Sequence, residues 1–224
     1  MTRYAILWDL DGTISDSFDS FYQALTVILE KYNAPQRITS EAYKQRYFGK
    51  SFPGILDLIY DNALPETRKQ QISAEYHELF NKIIRETGNI RFVPGVKRVL
   101  DHFYAAGVPM AIASSSELST ILTELQALEI QHYFGNIISG NYLPPKPAPD
   151  IFLLAARSLN MAPETCVVIE DSLAGMQGAE AAGMKCVGIA TSKRVEEMSA
   201  ADIALQSFAS LDFSEFERLL GFPK

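Results

Sequence analysis

Asp9 and Asp11, with Leu10 between them and Gly12 and Thr13 behind, are the first residues along this chain whose types and spacing could do chemistry. Two carboxylates this close repel one another unless a cation or a shared proton compensates. They end an apolar run, Ala5 to Trp8, of the kind that forms a strand buried on both faces of a parallel sheet. Open α/β sheets bind ligands beyond the carboxyl ends of such strands. A turn capped by Asp and Gly would explain the dipeptide alone, but polar residues also close two later apolar runs. Ser114, Ser115 and Ser116 follow Val108 to Ala113, and Glu170 and Asp171 follow Cys166 to Ile169. Lys146 stands between these sets, in the proline-rich stretch Pro144 to Asp150. Singly, Ser114 could cap a helix, the later acids could favour a helix dipole, and Lys146 could be a solvated surface side chain. Their shared position at one sheet edge is what points to a site.

The set fits phosphoryl transfer. A carboxylate such as Asp9 can attack phosphorus, forming an aspartyl-phosphate and dividing one hard step into two. The charge of the phosphate must be neutralised for that approach, which Lys146, a hydroxyl and an oxygen-ligated Mg²⁺ would do. Asp11 could protonate the departing oxygen and afterwards deprotonate water.

The elements that must hold these residues follow from periodicity. Phe18, Phe21, Tyr22, Leu25, Ile28, Leu29 and Tyr32 recur at helical steps. Asn33-Ala34-Pro35 ends that helix, a short one begins near Thr39 and Ala42, and Gly49 to Gly54 reads as a loop. Ile55 to Tyr60 resumes helical spacing, and Pro65-Glu66 opens a long helix through Arg85. Residues 18 to about 88 therefore read as an all-helical insert without strand candidates. Beyond Phe92-Val93-Pro94-Gly95, which reads as a hinge, helices and apolar runs alternate. Helices are expected over Val96–Ala106, Glu117–Leu128, Ile151–Leu159 and Leu173–Ala182, and strands over Val108–Ala113, Asn136–Ser139, Cys166–Ile169 and Lys185–Ala190. This alternation predicts an α/β protein with a parallel, doubly wound sheet.

Composition narrows the function classes. The 224 residues give ample material for a core, and 47% apolar with 21% charged residues is ordinary for a globular protein. A net charge of −7 without a compensating basic patch argues against nucleic acid or an anionic membrane as partner. The two cysteines, Cys166 and Cys186, flank apolar runs and read as buried thiols in a reducing compartment. No apolar stretch reaches the roughly 18 residues of a membrane span, and Asp9 and Asp11 interrupt the run that a signal peptide would need. A cytoplasmic location is expected, as is a monomer or weak homodimer.

Asp9-Leu10-Asp11-Gly12-Thr13, Ser114, Lys146-Pro147-Ala148-Pro149-Asp150 and Glu170-Asp171-Ser172 resemble the four motifs of the haloacid dehalogenase (HAD) superfamily, in order and spacing, from residue 4 to about 190. The resemblance is to the branch of β-phosphoglucomutase and sugar-phosphate phosphatases. It implies a Rossmann-like parallel-sheet core, residues 1–16 and 92–224, with an inserted all-helical cap, residues 17–91. It also implies roles. Asp9 would be nucleophile and metal ligand, and Asp11 general acid/base with its backbone carbonyl on Mg²⁺. Asp171 would complete the metal site, with Glu170 direct or through water. Ser114 and Lys146 would hold the phosphoryl group, helped by backbone amides near Leu10, Asp11 and Ser115, and the Lys146–Pro147 peptide would be cis.

Within that family the dehalogenases lack the second Asp, so the presence of Asp11 speaks against them. Phosphonate hydrolases use a cap lysine as a Schiff-base amine; Lys50 reads better as a substrate-steering or solvated cation. Mutases place basic and amide side chains after the second-motif serines and an Arg in the cap. Glu117, Leu118 and Phe52 stand at those places here, and none of them would bind a second phosphate. The expectation is a Mg²⁺-dependent phosphatase of a phosphorylated small molecule such as a sugar phosphate. A β-phosphoglucomutase-like mutase is the rival, and a non-catalytic binding protein the lesser one. Lys50, Ser51, Phe52, Tyr43 and Tyr47 are the cap residues that could face substrate, although the aromatic ones could equally only pack the cap.

Overall fold

The computed structural model describes residues 4–47, 50–191 and 198–214. Its centre is a six-stranded, all-parallel sheet in the order β5-β4-β1-β6-β7-β8. The strands are β1 (Ala5–Trp8), β4 (Met110–Ser114), β5 (Asn136–Ser139), β6 (Cys166–Glu170), β7 (Lys185–Ile189) and β8 (Ile203–Leu205). The remaining strands, β2 (Ser15–Asp16) and β3 (Arg91–Phe92), pair antiparallel with each other. Helices α5 (Val96–Ala105), α6 (Leu118–Ala127), α7 (Asp150–Ser158) and α8 (Leu173–Ala181) connect the sheet strands. Helices α1 (Phe18–Lys31), α2 (Ser40–Arg46), α3 (Phe52–Ile59) and α4 (Glu66–Thr87) form the insert between β2 and β3.

Alternation along the central strand divides the core. Ala5 and Leu7 pack with Phe152, Ala155, Met176 and Ala179 of α7 and α8. Ile6 and Trp8 face the other way, toward α5 and α6, and that cluster runs on into Phe21, Phe52, Tyr76 and Phe80 of the insert. The insert therefore shares a continuous apolar core with one face of the sheet. Cys166 and Cys186 are both buried and free, as their apolar flanks require.

Two features differ from the sequence expectation. Helix α3 starts at Phe52, inside the stretch expected to be loop, with Pro53 in its first turn where a missing N–H costs nothing. Gly49, part of the same expectation, lies outside the described residues. The expected hinge begins inside a short strand: Phe92 pairs with Ser15 and Arg91 with Asp16, so the two crossings between sheet and insert are zipped together. Arg91 also reaches Asp16 at 3.2 Å and Asp19 at 3.7 Å, on an exposed surface where such pairs contribute little.

Candidate active site

The chain leaves β1 and wraps around a single carbonyl. Leu10 O accepts from the amides of Thr13, Ile14 and Ser15, at 3.2, 2.8 and 3.0 Å. This tight reversal directs Asp9 and Asp11 toward the end of the sheet and returns the chain to β2. Gly12 makes it possible: its φ is +84°, and a Cβ there would stand 2.5 Å from Asp171 Oδ2. The loop after β1 is thus fitted against the loop after β6.

Lys146 joins the strand ends. Its peptide bond to Pro147 is cis. The ammonium donates to Asp9 Oδ1 at 2.7 Å, to Glu170 Oε1 at 2.8 Å and to Ala113 O at 3.1 Å, which uses all three of its protons. Its side chain and those of Asp9 and Glu170 are each less than a tenth exposed. Burial opposes the charge on Lys146, but Asp9 and Glu170 outweigh it and hold the amine above its ordinary range. Burial likewise lifts the Asp9 carboxyl, helped by the like charges of Glu170 and Asp11 and opposed by Lys146. Glu170 Oε2 accepts from the amide of Ser172, which caps α8 through Gly175. A Cβ on Gly175 would fall 1.8 Å from Glu170 Oε1, so only glycine leaves room for this carboxylate over the helix start.

Asp9, Glu170 and Asp171 each offer a carboxylate oxygen within 4.8 Å of the others. Two of these buried acids, Asp9 and Glu170, are paired with Lys146, and an all-oxygen donor set of this kind suits a hard divalent ion. The residues fit the magnesium that their motif implies.

Asp11 is held from the opposite side. Its Oδ1 accepts from Ser17 Oγ at 3.2 Å, and its Oδ2 from Ser116 Oγ at 2.7 Å and Ser114 Oγ at 3.5 Å. Ser114 itself is buried and accepts from the Ser116 amide, while Ser115 and Ser116 line the open pocket. The sequence-predicted residues Asp9, Asp11, Ser115, Lys146, Glu170 and Asp171 come together in this one pocket, together with Lys50, Ser51, Tyr43 and Phe52 from the insert. Ser114 sits behind its wall, and Tyr47 is buried elsewhere in the insert.

Several pocket residues were not anticipated. Phe21, Tyr76 and His77 line it from α1 and α4, and Asn141 from the loop after β5. Phe52 stacks on Tyr76 with ring centres 3.6 Å apart, so this residue both packs the insert and faces the pocket. Burial keeps the Tyr43 and Tyr76 phenols, hydrogen-bonded to each other, above their ordinary range. Glu124, fully buried on α6, is held well above the usual carboxyl range by burial, with Asp11 adding to it.

His77 joins insert to sheet layer: its Nδ1 lies 3.2 Å from Thr120 Oγ1 of α6, and Asn81 donates to Ser119 one turn away. Burial lowers the imidazole from 6.5 to about 4. Below pH 6.5 the unfolded chain takes up a proton that the folded one refuses until about pH 4, so stability falls with pH across that window. Between pH 7 and 5 this amounts to about 2 kcal/mol. Urea unfolding at both pH values should show His77→Gln losing correspondingly less; an identical loss in both proteins would contradict a neutral buried imidazole.

Comparison with known proteins places the chain. The model of the haloacid dehalogenase-like hydrolase family matches residues 6–189. A phosphorylated carbohydrates phosphatase of Thermotoga maritima is 27% identical, with 81% of this chain and 82% of that protein aligned. The β-phosphoglucomutase of Bacillus subtilis is 30% identical over 92% of this chain and 91% of its own. The crystal structure of a β-phosphoglucomutase from Clostridium difficile superposes with a TM-score of 0.83 at 27% identity, covering 99% of this chain and 98% of that one.

Proposed function

The chain belongs to the haloacid dehalogenase-like hydrolase family, and from that premise we propose that it is a Mg²⁺-dependent phosphatase of small phosphomonoesters, sugar phosphates or related metabolites, acting through an aspartyl-phosphate on Asp9. The observation that carries this reading is the convergence of Asp9, Lys146, Glu170 and Asp171 at one end of the sheet, with Asp11 beside them in the same pocket.

Asp9 Oδ attacks phosphorus in line with the ester oxygen, forming an O–P bond as the ester O–P bond breaks. Lys146, already 2.7 Å from Asp9 and charged, turns one N–H toward the transferring oxygens and offsets their charge. Asp11 gives its proton to the departing alkoxide, then takes one from the water that attacks the acyl phosphate and returns Asp9 and inorganic phosphate. Ser115 and Ser116 present polar groups to the phosphoryl oxygens. Asp9, Glu170 and Asp171, with the backbone carbonyl of Asp11, would hold Mg²⁺, whose charge when bound neutralises the substrate dianion and favours Asp9 as carboxylate. The helices α1–α4, taken as a cap spanning residues 17–91 over a core of 1–16 and 92–224, close the pocket and open it at the β2–β3 joint.

Phosphatase is preferred to mutase because, among the described pocket residues, Lys50 is the one Lys or Arg available besides Lys146. His77, neutral at working pH, adds no charge. A substrate with a second phosphate would meet one lysine rather than a built anion site. The likeness to β-phosphoglucomutases keeps the mutase as the second reading. A panel of phosphorylated metabolites separates them, with β-glucose 1-phosphate offered alongside a bisphosphate primer. Inorganic phosphate release supports the phosphatase; an isomerised sugar phosphate supports the mutase. If no ester, p-nitrophenyl phosphate included, is turned over, the protein is a binding module.

Metal dependence has its own readout. Mg²⁺ at a hundred times its dissociation constant should stabilise the fold by about 2.7 kcal/mol, visible as a rise in thermal midpoint that EDTA reverses and Asp171→Asn removes. EDTA should abolish turnover at the same time. A midpoint indifferent to Mg²⁺ would count against the site.

A further inference from the structure

Behind Asp11 lies a second acid that the reaction above does not use. Glu124 stands on α6, fully buried, with Oε2 2.5 Å from Ser15 Oγ and its carboxyl in side-chain contact with that of Asp11. Ser15 Oγ lies 3.5 Å from Ser17 Oγ, and Ser17 donates to Asp11 Oδ1 at 3.2 Å. A chain of polar atoms thus runs from the interior of α6 to the carboxyl that faces the substrate. Nothing basic partners Glu124 among these contacts, and a buried acid without a cation costs stability that an apolar side chain would not. Its effect is therefore to be sought in what it holds.

We propose that Glu124 is a positioning residue for Asp11: through the hydroxyls of Ser15 and Ser17 it fixes the orientation in which Asp11 reaches the leaving oxygen. The inference rests on the phosphatase reading. Ser15 Oγ is the junction of the row: it donates to Glu124 Oε2, lies 3.3 Å from Leu10 O and stands beside Ser17 Oγ. On the other flank Asp11 is held by Ser116 and Ser114, so loss of the Glu124 side would leave its carboxyl tethered at one oxygen only.

Such a role has a signature that packing alone would not produce. The specificity constant reports the steps up to departure of the leaving group, and an alkoxide needs a well-placed acid far more than p-nitrophenolate does. Glu124→Leu should lower kcat/KM on an alkyl phosphate by about tenfold or more, and on p-nitrophenyl phosphate by less than about threefold. Its thermal midpoint should not fall. Glu124→Gln, which keeps a side-chain oxygen to accept from Ser15, should stay within about threefold of wild type on both esters. Ser15→Ala cuts the row in the middle and should repeat the Leu pattern, so it carries the test if the Leu variant does not fold. Equal losses on the two esters, or none, would overturn the proposal while the wild type's own hydrolysis upholds the phosphatase. A wild type that hydrolyses neither ester overturns both together.

Discussion

Asp9→Asn should reduce turnover of every phosphomonoester by on the order of 10⁴-fold or more, since it removes the attacking atom rather than a helper. The amide has nearly the shape of the acid but no carboxylate lone pair with which to form a stable acyl phosphate. Stability should change in the other direction, or not at all. Asp9 is buried beside Glu170, Asp171 and Asp11, and burial already pushes its proton on. Neutralising it relieves repulsion with Glu170 and Asp11, while Lys146 keeps Glu170 at 2.8 Å as its counter-charge. A single-turnover phosphate-release assay with a thermal melt decides the matter. A folded variant that keeps more than about a hundredth of wild-type rate would remove Asp9 from the role of nucleophile, because losses at nucleophiles run far beyond that.

Why could Asp9 be found from sequence while Glu124 could not? The strands betray their ends: a buried parallel strand is a short apolar run, and the first polar residue after it lies at the ligand-binding edge. Asp9, Ser114 and Glu170 could be located by that rule alone, and the register of β1 between β4 and β6 then brings their strand ends side by side. Helices give no such marker. Glu124 on α6 and His77 on α4 occupy steps where an acid or an imidazole reads as part of a solvated face, yet α4 lies against α6 and buries both. Their burial is a consequence of how two helices pack, which periodicity within either one does not contain. The two-residue strands β2 and β3 are too short for alternation to show. The start of α3 at Phe52 was hidden by Pro53 and Gly54, which read as punctuation although proline suits a first helical turn. Ser114 teaches a finer limit: its place at the end of β4 was legible, but not that its hydroxyl would turn to Ser116 and Asp11 and leave Ser115 and Ser116 facing the pocket.

Asp11→Asn should divide the reaction where Asp9→Asn stops it. Asn at this position still offers an oxygen to Ser17 and sits among the same hydroxyls, so binding of the phosphate should change little. What is lost is the exchangeable proton. On an alkyl phosphate, whose alkoxide cannot leave unprotonated, kcat/KM should fall by about 10²- to 10⁴-fold, the usual worth of a positioned general acid. On p-nitrophenyl phosphate the first step needs little help, but the second still requires a base to take a proton from water. The variant should therefore release one equivalent of p-nitrophenolate in a burst and then stall, with phosphate retained on Asp9. Mass spectrometry of the quenched protein would find it there, and the Asp9→Asn,Asp11→Asn double variant should show neither burst nor adduct. An Asp11→Asn protein that slows both esters alike, without a burst, would mean that Asp11 serves the metal site or the loop instead of the proton. In that event the row from Glu124 to Ser17 would have no acid to aim.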